Sequence, residues 1–257
     1  MRSRSRWREL RLDLLALLWP TACVACGAAD RDICDSCLAE AAEAEPPRHL
    51  DLGTPCAVRG AYDGPLREML VAFKHGGRTG FARRLGPQLR VPLLAALENC
   101  RGPEAPVLVT VPSRRSRVRQ RGYQHVDVLV TSALRGRRAR VLRLSALRAL
   151  RGRRGQVGLG QVERDRNARL IAVRRPARSV LPGREVILVD DIITTGATVL
   201  AARDELERAG ARVVAIVALC AVERRDTRAS EDEVARASGS GVGFWKGVTV
   251  RHSGPPA

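Results

Sequence analysis

The sequence predicts an α/β fold in which helices flank a central, mainly parallel sheet, with a small cysteine-containing module at the N-terminus. Apolar runs at residues 186–189 and 107–111 are typical of strands that are buried on both faces. The run at 186–189 is followed by a helical pattern at 199–209 and by a further apolar strand at 212–219. This order of strand, helix and strand predicts a βαβ unit, whose two strands lie parallel in one sheet.

The remaining elements of the sheet follow in order along the chain. Pro112 ends the strand at 107–111, and we expect a loop at 113–121, then a helix from 121 to about 134. Strands are predicted at 141–144 and 168–173. The Gly- and Arg-rich stretch at 150–167, which lies between them, is predicted to be a mobile flap.

The chain has 257 residues, of which 45% are hydrophobic, and this composition is ample for a packed core. We expect four parts: a helix at 1–20, a four-cysteine module at 21–45, the α/β domain at 56–222 and a mostly disordered tail at 223–257. The apolar stretch near the N-terminus is shorter than the ~20 apolar residues of a membrane-spanning helix. We therefore expect no membrane span and a cytoplasmic protein.

The module contains the pattern Cys-x2-Cys-x7-Cys-x2-Cys, formed by Cys23, Cys26, Cys34 and Cys37. Each Cys-x2-Cys pair presents two thiolates to one metal ion, and two pairs complete a tetrahedral site. No His, Asp or Glu offers an open position, so the pattern predicts structural Zn2+ in a zinc-ribbon-like module. The alternatives are iron, unrelated buried or redox cysteines, and a disulfide pair in an exported protein.

The segment after the strand at 186–189 suits a phosphate group. It lies at the N-terminus of the predicted helix, where backbone N–H groups converge and glycine allows close approach. We predict that five residues hold the phosphate: Thr194, Thr195, Gly196, Ala197 and Thr198. Asp190 and Asp191 would repel phosphate but suit sugar hydroxyls, so the segment predicts a ribose 5-phosphate. The alternatives are a generic phosphate loop and a strand end that acidic residues cap, and the Walker motif is absent.

The formal net charge of +18 is concentrated in one third of the chain. Residues 101–184 contain 22 basic and 4 acidic residues, whereas the rest of the chain is balanced. This surplus has three explanations: a funnel that steers a polyanion, a groove for single-stranded nucleic acid, or no specific role. Since aromatic residues make up only 3%, extensive base stacking is not expected. The nucleic-acid candidates are Arg135, Arg137, Arg138, Arg153 and Arg154.

The run from Asp190 to Thr198 resembles the signature of type I phosphoribosyltransferases, which bind 5-phosphoribosyl 1-pyrophosphate (PRPP). Together with the four-cysteine module and the segment Phe73-Lys74-His75-Gly76-Gly77-Arg78, it resembles the ComF family. Members of that family pair an N-terminal zinc module with a phosphoribosyltransferase-like domain and are associated with bacterial competence and DNA uptake. The resemblance implies the type I phosphoribosyltransferase fold, catalytic Asp190 and Asp191 on the ribose hydroxyls, and Mg2+ with PRPP.

The pyrophosphate of PRPP needs cationic partners. We expect Arg114, Arg115 and Arg117, which follow the end of a strand, to meet it, with Lys74 assisting. One departure from the family is Gln124-His125, where members commonly have Asn-Gln. The histidines are isolated in the sequence, so none of them is predicted to be a general base.

Two functions are compatible with these patterns. The first is a phosphoribosyltransferase that transfers phosphoribosyl from PRPP to an acceptor that the sequence does not identify, linked to DNA uptake or nucleotide metabolism. The second is a non-catalytic accessory factor that binds single-stranded DNA, in which the PRPP pocket is a sensor or a vestige.

Overall fold

The two long apolar runs form neighbouring strands in the middle of a five-stranded parallel sheet. The computed structural model describes residues 21–29, 31–44, 52–136, 140–150 and 170–222, which all belong to one compact unit. The seven strands in these ranges are β1 (Cys56–Ala61), β2 (Val107–Thr110), β3 (Leu142–Arg143), β4 (Leu147–Ala149), β5 (Ile171–Val173), β6 (Glu185–Ile193) and β7 (Arg212–Ala221). The main sheet has the order β1-β7-β6-β2-β3, and β4 and β5 form an antiparallel pair. The predicted α/β fold with a mainly parallel sheet is confirmed.

Six α-helices accompany these strands in the described residues. They are α1 (Asp35–Glu43), α2 (Gly64–His75), α3 (Ala82–Leu97), α4 (Arg115–Arg121), α5 (His125–Leu134) and α6 (Ala197–Arg208). Short 3-10 turns lie at Thr79–Phe81 and Arg175–Ser179. Of the helices in the described ranges, none combines the length and the apolar character that crossing a membrane requires.

The hydrophobic core lies on both faces of the sheet, because successive side chains of a strand point to opposite faces. Ile187 and Val189 of β6 pack with the helices α2, α3 and α5. Val186 and Leu188 of the same strand pack with α6 and with the β4–β5 pair. The strand β6 is therefore covered on both sides, as its continuous apolar run predicts.

The four-cysteine module shares the core of the α/β domain. Cys23, Cys37 and Ala41 are buried in the same hydrophobic cluster as Phe73 of α2. Arg59 of β1 ties the end of the module to the sheet, since its Nη1 donates a hydrogen bond of 2.6 Å to the carbonyl oxygen of Ala44.

One sequence prediction is wrong at the arginine-rich segment. The predicted loop at 113–121 is the helix α4, and the helix expected to begin at Arg121 begins at His125. Gly122, with a φ of +80°, ends α4 and separates the two helices. Arginine favours helices, but α4 buries none of its residues. It therefore lacks the apolar periodicity by which a helix is predicted.

Several predictions lie outside the described residues. These are the helix at 1–20, the tail at 223–257 and the flap at 150–167 apart from Leu150. The strands predicted at 107–111, 141–144 and 212–219 are present with shifted ends. The strand predicted at 168–173 is present as β5, from Ile171.

Candidate functional site

The predicted phosphate loop connects the carboxyl end of β6 to the N-terminus of α6. Gly196 is the N-cap of α6 and has a φ of +78°, a conformation that favours glycine. A Cβ atom at this position would lie 2.5 Å from Cδ2 of Leu52. The amide of Ala197 donates a hydrogen bond of 3.4 Å to Oγ1 of Thr195. The structure thus places all five predicted loop residues at a helix N-terminus, where backbone N–H groups and the helix dipole favour an anion.

The two aspartates of the loop lie on opposite faces of the sheet. Asp190 follows Val186 and Leu188 in the alternation of β6, whereas Asp191 follows Ile187 and Val189. The carboxylate of Asp190 is partly exposed and accepts a hydrogen bond of 2.8 Å from the backbone amide of Asp191.

Asp191 is only 5% exposed and contacts two basic side chains. Its Oδ2 atom lies 2.6 Å from Nζ of Lys74, which comes from α2. The same oxygen contacts Nε2 of His125, the first residue of α5. Burial alone would raise the pKa of Asp191, but Lys74 and His125 outweigh burial and lower this pKa. Asp191 is therefore a carboxylate, and its predicted contact with a ribose hydroxyl would have to compete with these partners.

His125 is the residue that the sequence prediction missed. Its Nδ1 atom lies 3.0 Å from Oγ of Ser113 and 3.0 Å from Nη1 of Arg121. The expectation that the histidines are isolated is wrong for His125, which joins β6 to the segment after β2. Neighbouring parallel strands bring their carboxyl ends to the same edge of a sheet, so the position of His125 in the connection that follows β2 was the available signal.

Basic residues cluster on the His125 side of this edge. Burial lowers the pKa of Arg114, and the positive charges of Arg117 and Arg121 lower it further. The pKa of His75 is likewise lowered, first by burial and then by Arg121 and Arg117. We call the group formed by Lys74, His75, Arg114, Arg117 and Arg121 the cation cluster.

The cation cluster contains three of the four residues predicted to meet pyrophosphate, namely Lys74, Arg114 and Arg117. The fourth, Arg115, is exposed and begins α4. Since burial and then the neighbouring positive charges lower the pKa of His75 and Arg114, the cluster favours binding of an anion that separates these charges. An anion held there would lie at the same edge of the sheet as the phosphate loop.

The four cysteines form a compact group of sulfur atoms. All four Sγ atoms lie within 4.8 Å of one another, and Cys34 Sγ lies 3.8 Å from Cys23 Sγ and 3.6 Å from Cys26 Sγ. Four thiolates at about 2.3 Å from one zinc ion are about 3.8 Å apart in a tetrahedron. Burial would raise the pKa of Cys23, but backbone hydrogen bonds from Cys26 and Cys34 lower it to about 6. The spacing of the four sulfur atoms therefore fits a zinc ion, which binds thiolates.

The nucleic-acid candidates are only partly within the described residues. Arg135 is exposed at the C-terminal end of α5, where its carbonyl oxygen accepts a hydrogen bond of 3.2 Å from Nη2 of Arg90. The other four candidates, Arg137, Arg138, Arg153 and Arg154, lie outside the described residues.

Comparison with protein families gives one match within this chain. The family model of the phosphoribosyl transferase domain matches residues 140–245, a range that includes β6, the phosphate loop and α6. One solved structure, of the allosteric regulatory enzyme of purine biosynthesis, shares 23% identity over 53% of this chain, with a TM-score of 0.31. The match covers 25% of that protein, so the chain corresponds to about a quarter of its length. A search of curated proteins finds no match.

Proposed function

We propose that this protein binds PRPP and transfers its phosphoribosyl group to an acceptor, with release of pyrophosphate, as a ComF-type protein linked to DNA uptake or nucleotide metabolism. One observation carries the proposal. A predicted phosphate loop at a helix N-terminus and the cation cluster share one edge of the sheet, and β6 brings Asp190 and Asp191 to the same edge. The match of residues 140–245 to the phosphoribosyl transferase domain supports it.

The parts of PRPP are assigned by their chemistry. The 5-phosphate is bound by the loop at 194–198, where backbone N–H groups are the donors. The ribose hydroxyls are bound by the partly exposed carboxylate of Asp190, with Asp191 beside it in the sequence. The pyrophosphate is bound by the cation cluster, whose positive charges stabilise the negative charge that develops on the leaving group.

The proposed function includes two metal ions, Mg2+ bound with the substrate and Zn2+ bound by the cysteines. The carboxylate of Asp190 is an oxygen ligand of the type that Mg2+ accepts together with substrate phosphates, and a bound Mg2+ offsets the charge of pyrophosphate. Zn2+ is bound by the four cysteines, which leave no ligand position for a substrate. Zinc is therefore structural.

The enzyme proposal is tested by pyrophosphate release in a screen of acceptors with PRPP and Mg2+. We expect release that depends on one class of acceptor and is lost in the variant Asp190→Asn/Asp191→Asn. DNA uptake is measured in the same variants in cells. Full biological function in a variant that no longer binds PRPP contradicts the enzyme proposal.

The second candidate function is that of an accessory factor for single-stranded DNA. It is favoured by the 22 basic residues at 101–184, which exceed what one pyrophosphate requires. Binding through phosphates alone weakens steeply as the salt concentration rises. We expect charge reversal at Arg135, Arg137 and Arg138 to weaken DNA binding and to flatten its salt dependence, and DNA affinity indifferent to both changes contradicts this function.

A further inference from the structure

The buried imidazole of His125 has hydrogen-bonding partners at both of its ring nitrogens. An arginine side chain only donates hydrogen bonds, so Nδ1, which faces Nη1 of Arg121, accepts and carries no hydrogen atom. The hydrogen of the neutral ring is then on Nε2, which donates to Asp191. The partners therefore fix one tautomer, in which the lone pair of Nδ1 faces Arg121 and the hydroxyl of Ser113.

The groups around His125 decide when it takes up a proton. Arg121 lies at Nδ1, and His75 of α2 faces the same region. On the other side, Asp191 shares its charge with Lys74. Cys220 of β7 is a neutral neighbour of Asp191, since burial and then Asp191 raise its pKa to about 12. Protonation of Nδ1 requires Arg121 to move away, because two hydrogen-bond donors cannot face each other.

A bound anion would attract the side chain of Arg121 away from His125. Burial lowers the pKa of Arg121, the charge of Asp191 raises it, and the charge of Arg117 lowers it. A phosphate-rich anion in the cation cluster offers Arg121 a charged acceptor, which is a stronger partner than a neutral imidazole. Binding of the anion therefore exposes Nδ1 and at the same time adds the negative charge that stabilises an imidazolium.

We propose that His125 is the proton-accepting group of this site, and that it takes up a proton when a phosphate-rich anion draws Arg121 away from Nδ1. This inference rests on the proposed function: the pyrophosphate group of PRPP draws Arg121 from Nδ1, the proton then comes from the acceptor during transfer, and the released pyrophosphate stabilises the resulting imidazolium. Asp191 is then a positioning residue, which holds the imidazole through Nε2. Ser113, which is partly exposed, connects Nδ1 to the edge of the sheet.

The proposed transfer step breaks one bond and forms another at the anomeric carbon. The bond between that carbon and pyrophosphate breaks, and its electron pair leaves with pyrophosphate. The lone pair of the acceptor forms the new bond to the carbon. The acceptor's proton passes to the oxygen of Ser113 while the Ser113 proton passes to Nδ1 of His125, which leaves a neutral serine and an imidazolium beside Asp191.

The test uses pyrophosphate with Mg2+ as the probe and the full-length zinc-loaded protein. Nitrogen NMR of the 15N-labelled histidine side chains reports tautomer and protonation directly. The variants H49Q, H75Q, H125Q and H252Q assign the signals of the four histidines. Calorimetry in buffers of different ionisation enthalpy measures the protons taken up on binding. We expect His125 to change from the Nε2–H tautomer to the imidazolium when pyrophosphate binds.

Variants separate a proton-accepting role from a merely structural one. In H125Q the glutamine amide can still donate to Asp191, but it cannot take up a proton, so proton uptake at neutral pH should fall. The control variant H252Q, which changes no member of the cation cluster, should retain it. Arg121→Met should shift His125 toward the imidazolium without any anion, because it removes the donor at Nδ1. This measurement on Arg121→Met remains informative even if H125Q does not fold.

Each outcome decides the inference. Pyrophosphate that binds while His125 keeps its neutral tautomer overturns this inference and leaves the proposed function standing. Proton uptake that is unchanged in H125Q and lost in H75Q also overturns it, because His75 would then be the acceptor. Absence of pyrophosphate binding overturns both the inference and the assignment of the cation cluster to pyrophosphate.

Discussion

The two ends of strand β6 each bury one carboxylate, and the two carboxylates have different kinds of partner. Glu185, at the amino end, accepts hydrogen bonds from the backbone amides of Arg101 and Gly102 and forms an ion pair with Arg212. The carboxylate of Asp191, near the other end, contacts the side chains of Lys74 and His125. Both acids are 5% exposed, and both have a lowered pKa.

This difference separates an acid that stabilises the fold from one that organises a site. Backbone amides are fixed once the chain folds, so these partners of Glu185 cannot respond to a ligand. Lysine and histidine side chains can move. Of the two partners of Asp191, Lys74 belongs to the cation cluster and His125 contacts Arg121 of that cluster. Acidic residues with a shifted pKa are concentrated at functional sites, but structural ion pairs also shift a pKa. The kind of group that contacts the acid distinguishes the two cases.

Removal of zinc should produce the largest effect and should affect one end of β6 only. The module shares its core with α2, which carries Lys74, whereas the turn at 101–102 is bound to Glu185 at the amino end of β6. After a chelator removes the metal, we expect amides of 66–75 to lose protection from hydrogen exchange while amides of 101–102 keep it. About one zinc per chain should be released. Uniform loss of protection at both ends would contradict this separation.

Asp191→Ala should destabilise the protein by about 3–5 kcal/mol, because it leaves two basic groups buried without their carboxylate. Asp190→Ala is the matched control, and since that side chain is partly exposed we expect a loss of less than about 1 kcal/mol. Urea unfolding at neutral pH measures both. Equal losses would show that Asp191 is not the anchor of the cation cluster.

Gly196→Ala should destabilise the protein by about 1–3 kcal/mol and weaken PRPP binding. Alanine at a φ of +78° is strained, and its Cβ would lie 2.5 Å from Leu52. Leu52→Ala removes the close contact with the new Cβ atom but not the backbone strain at residue 196. A double-mutant cycle should therefore recover part of the loss, and strict additivity of the two losses would mean that Leu52 does not restrict the loop.

Glu185→Gln should cost about 1.5 kcal/mol at neutral pH, the lower end of the range for hydrogen bonds to a charged group, because the glutamine oxygen still accepts a hydrogen bond. Burial would raise the pKa of Glu185, but the amides of Gly102 and Arg101 and the charge of Arg212 lower it. The stabilisation is present above the ordinary glutamate pKa and is lost as the pH falls through the folded-state pKa. Urea unfolding from neutral to acidic pH should show that the free energies of unfolding of the intact protein and of Glu185→Gln become equal in acid. A difference that does not change with pH would contradict the view that the charge of Glu185 stabilises the fold.

Local patterns in the sequence were enough to predict the phosphate loop and the cysteine group. The loop is one continuous segment from Asp190 to Thr198, and the four cysteines lie within 15 residues. The first lies at a helix N-terminus and the second is a compact group of sulfur atoms, as expected, because residues that are close in the chain determine both local structures. The parallel sheet was predicted for the same reason, from the apolar run of β6.

The contact of Asp191 with Lys74 and His125 could not be read from the sequence, because it joins residues that are far apart in the chain. Tertiary packing of α2 and α5 on one face of the sheet brings them together. The helix α3 was also not predicted, since Pro87 and Pro92 lie inside it and proline normally argues against a helix.

The central claim, that this edge of the sheet binds PRPP, is tested most directly by calorimetry with PRPP and Mg2+. We predict saturable binding by the intact protein, with affinity reduced at least about tenfold in Asp190→Asn, a change of about 1.4 kcal/mol. The control variant Glu185→Gln should bind PRPP as the intact protein does. Absence of binding by the folded, zinc-loaded protein, or equal affinity in Asp190→Asn, would contradict the claim.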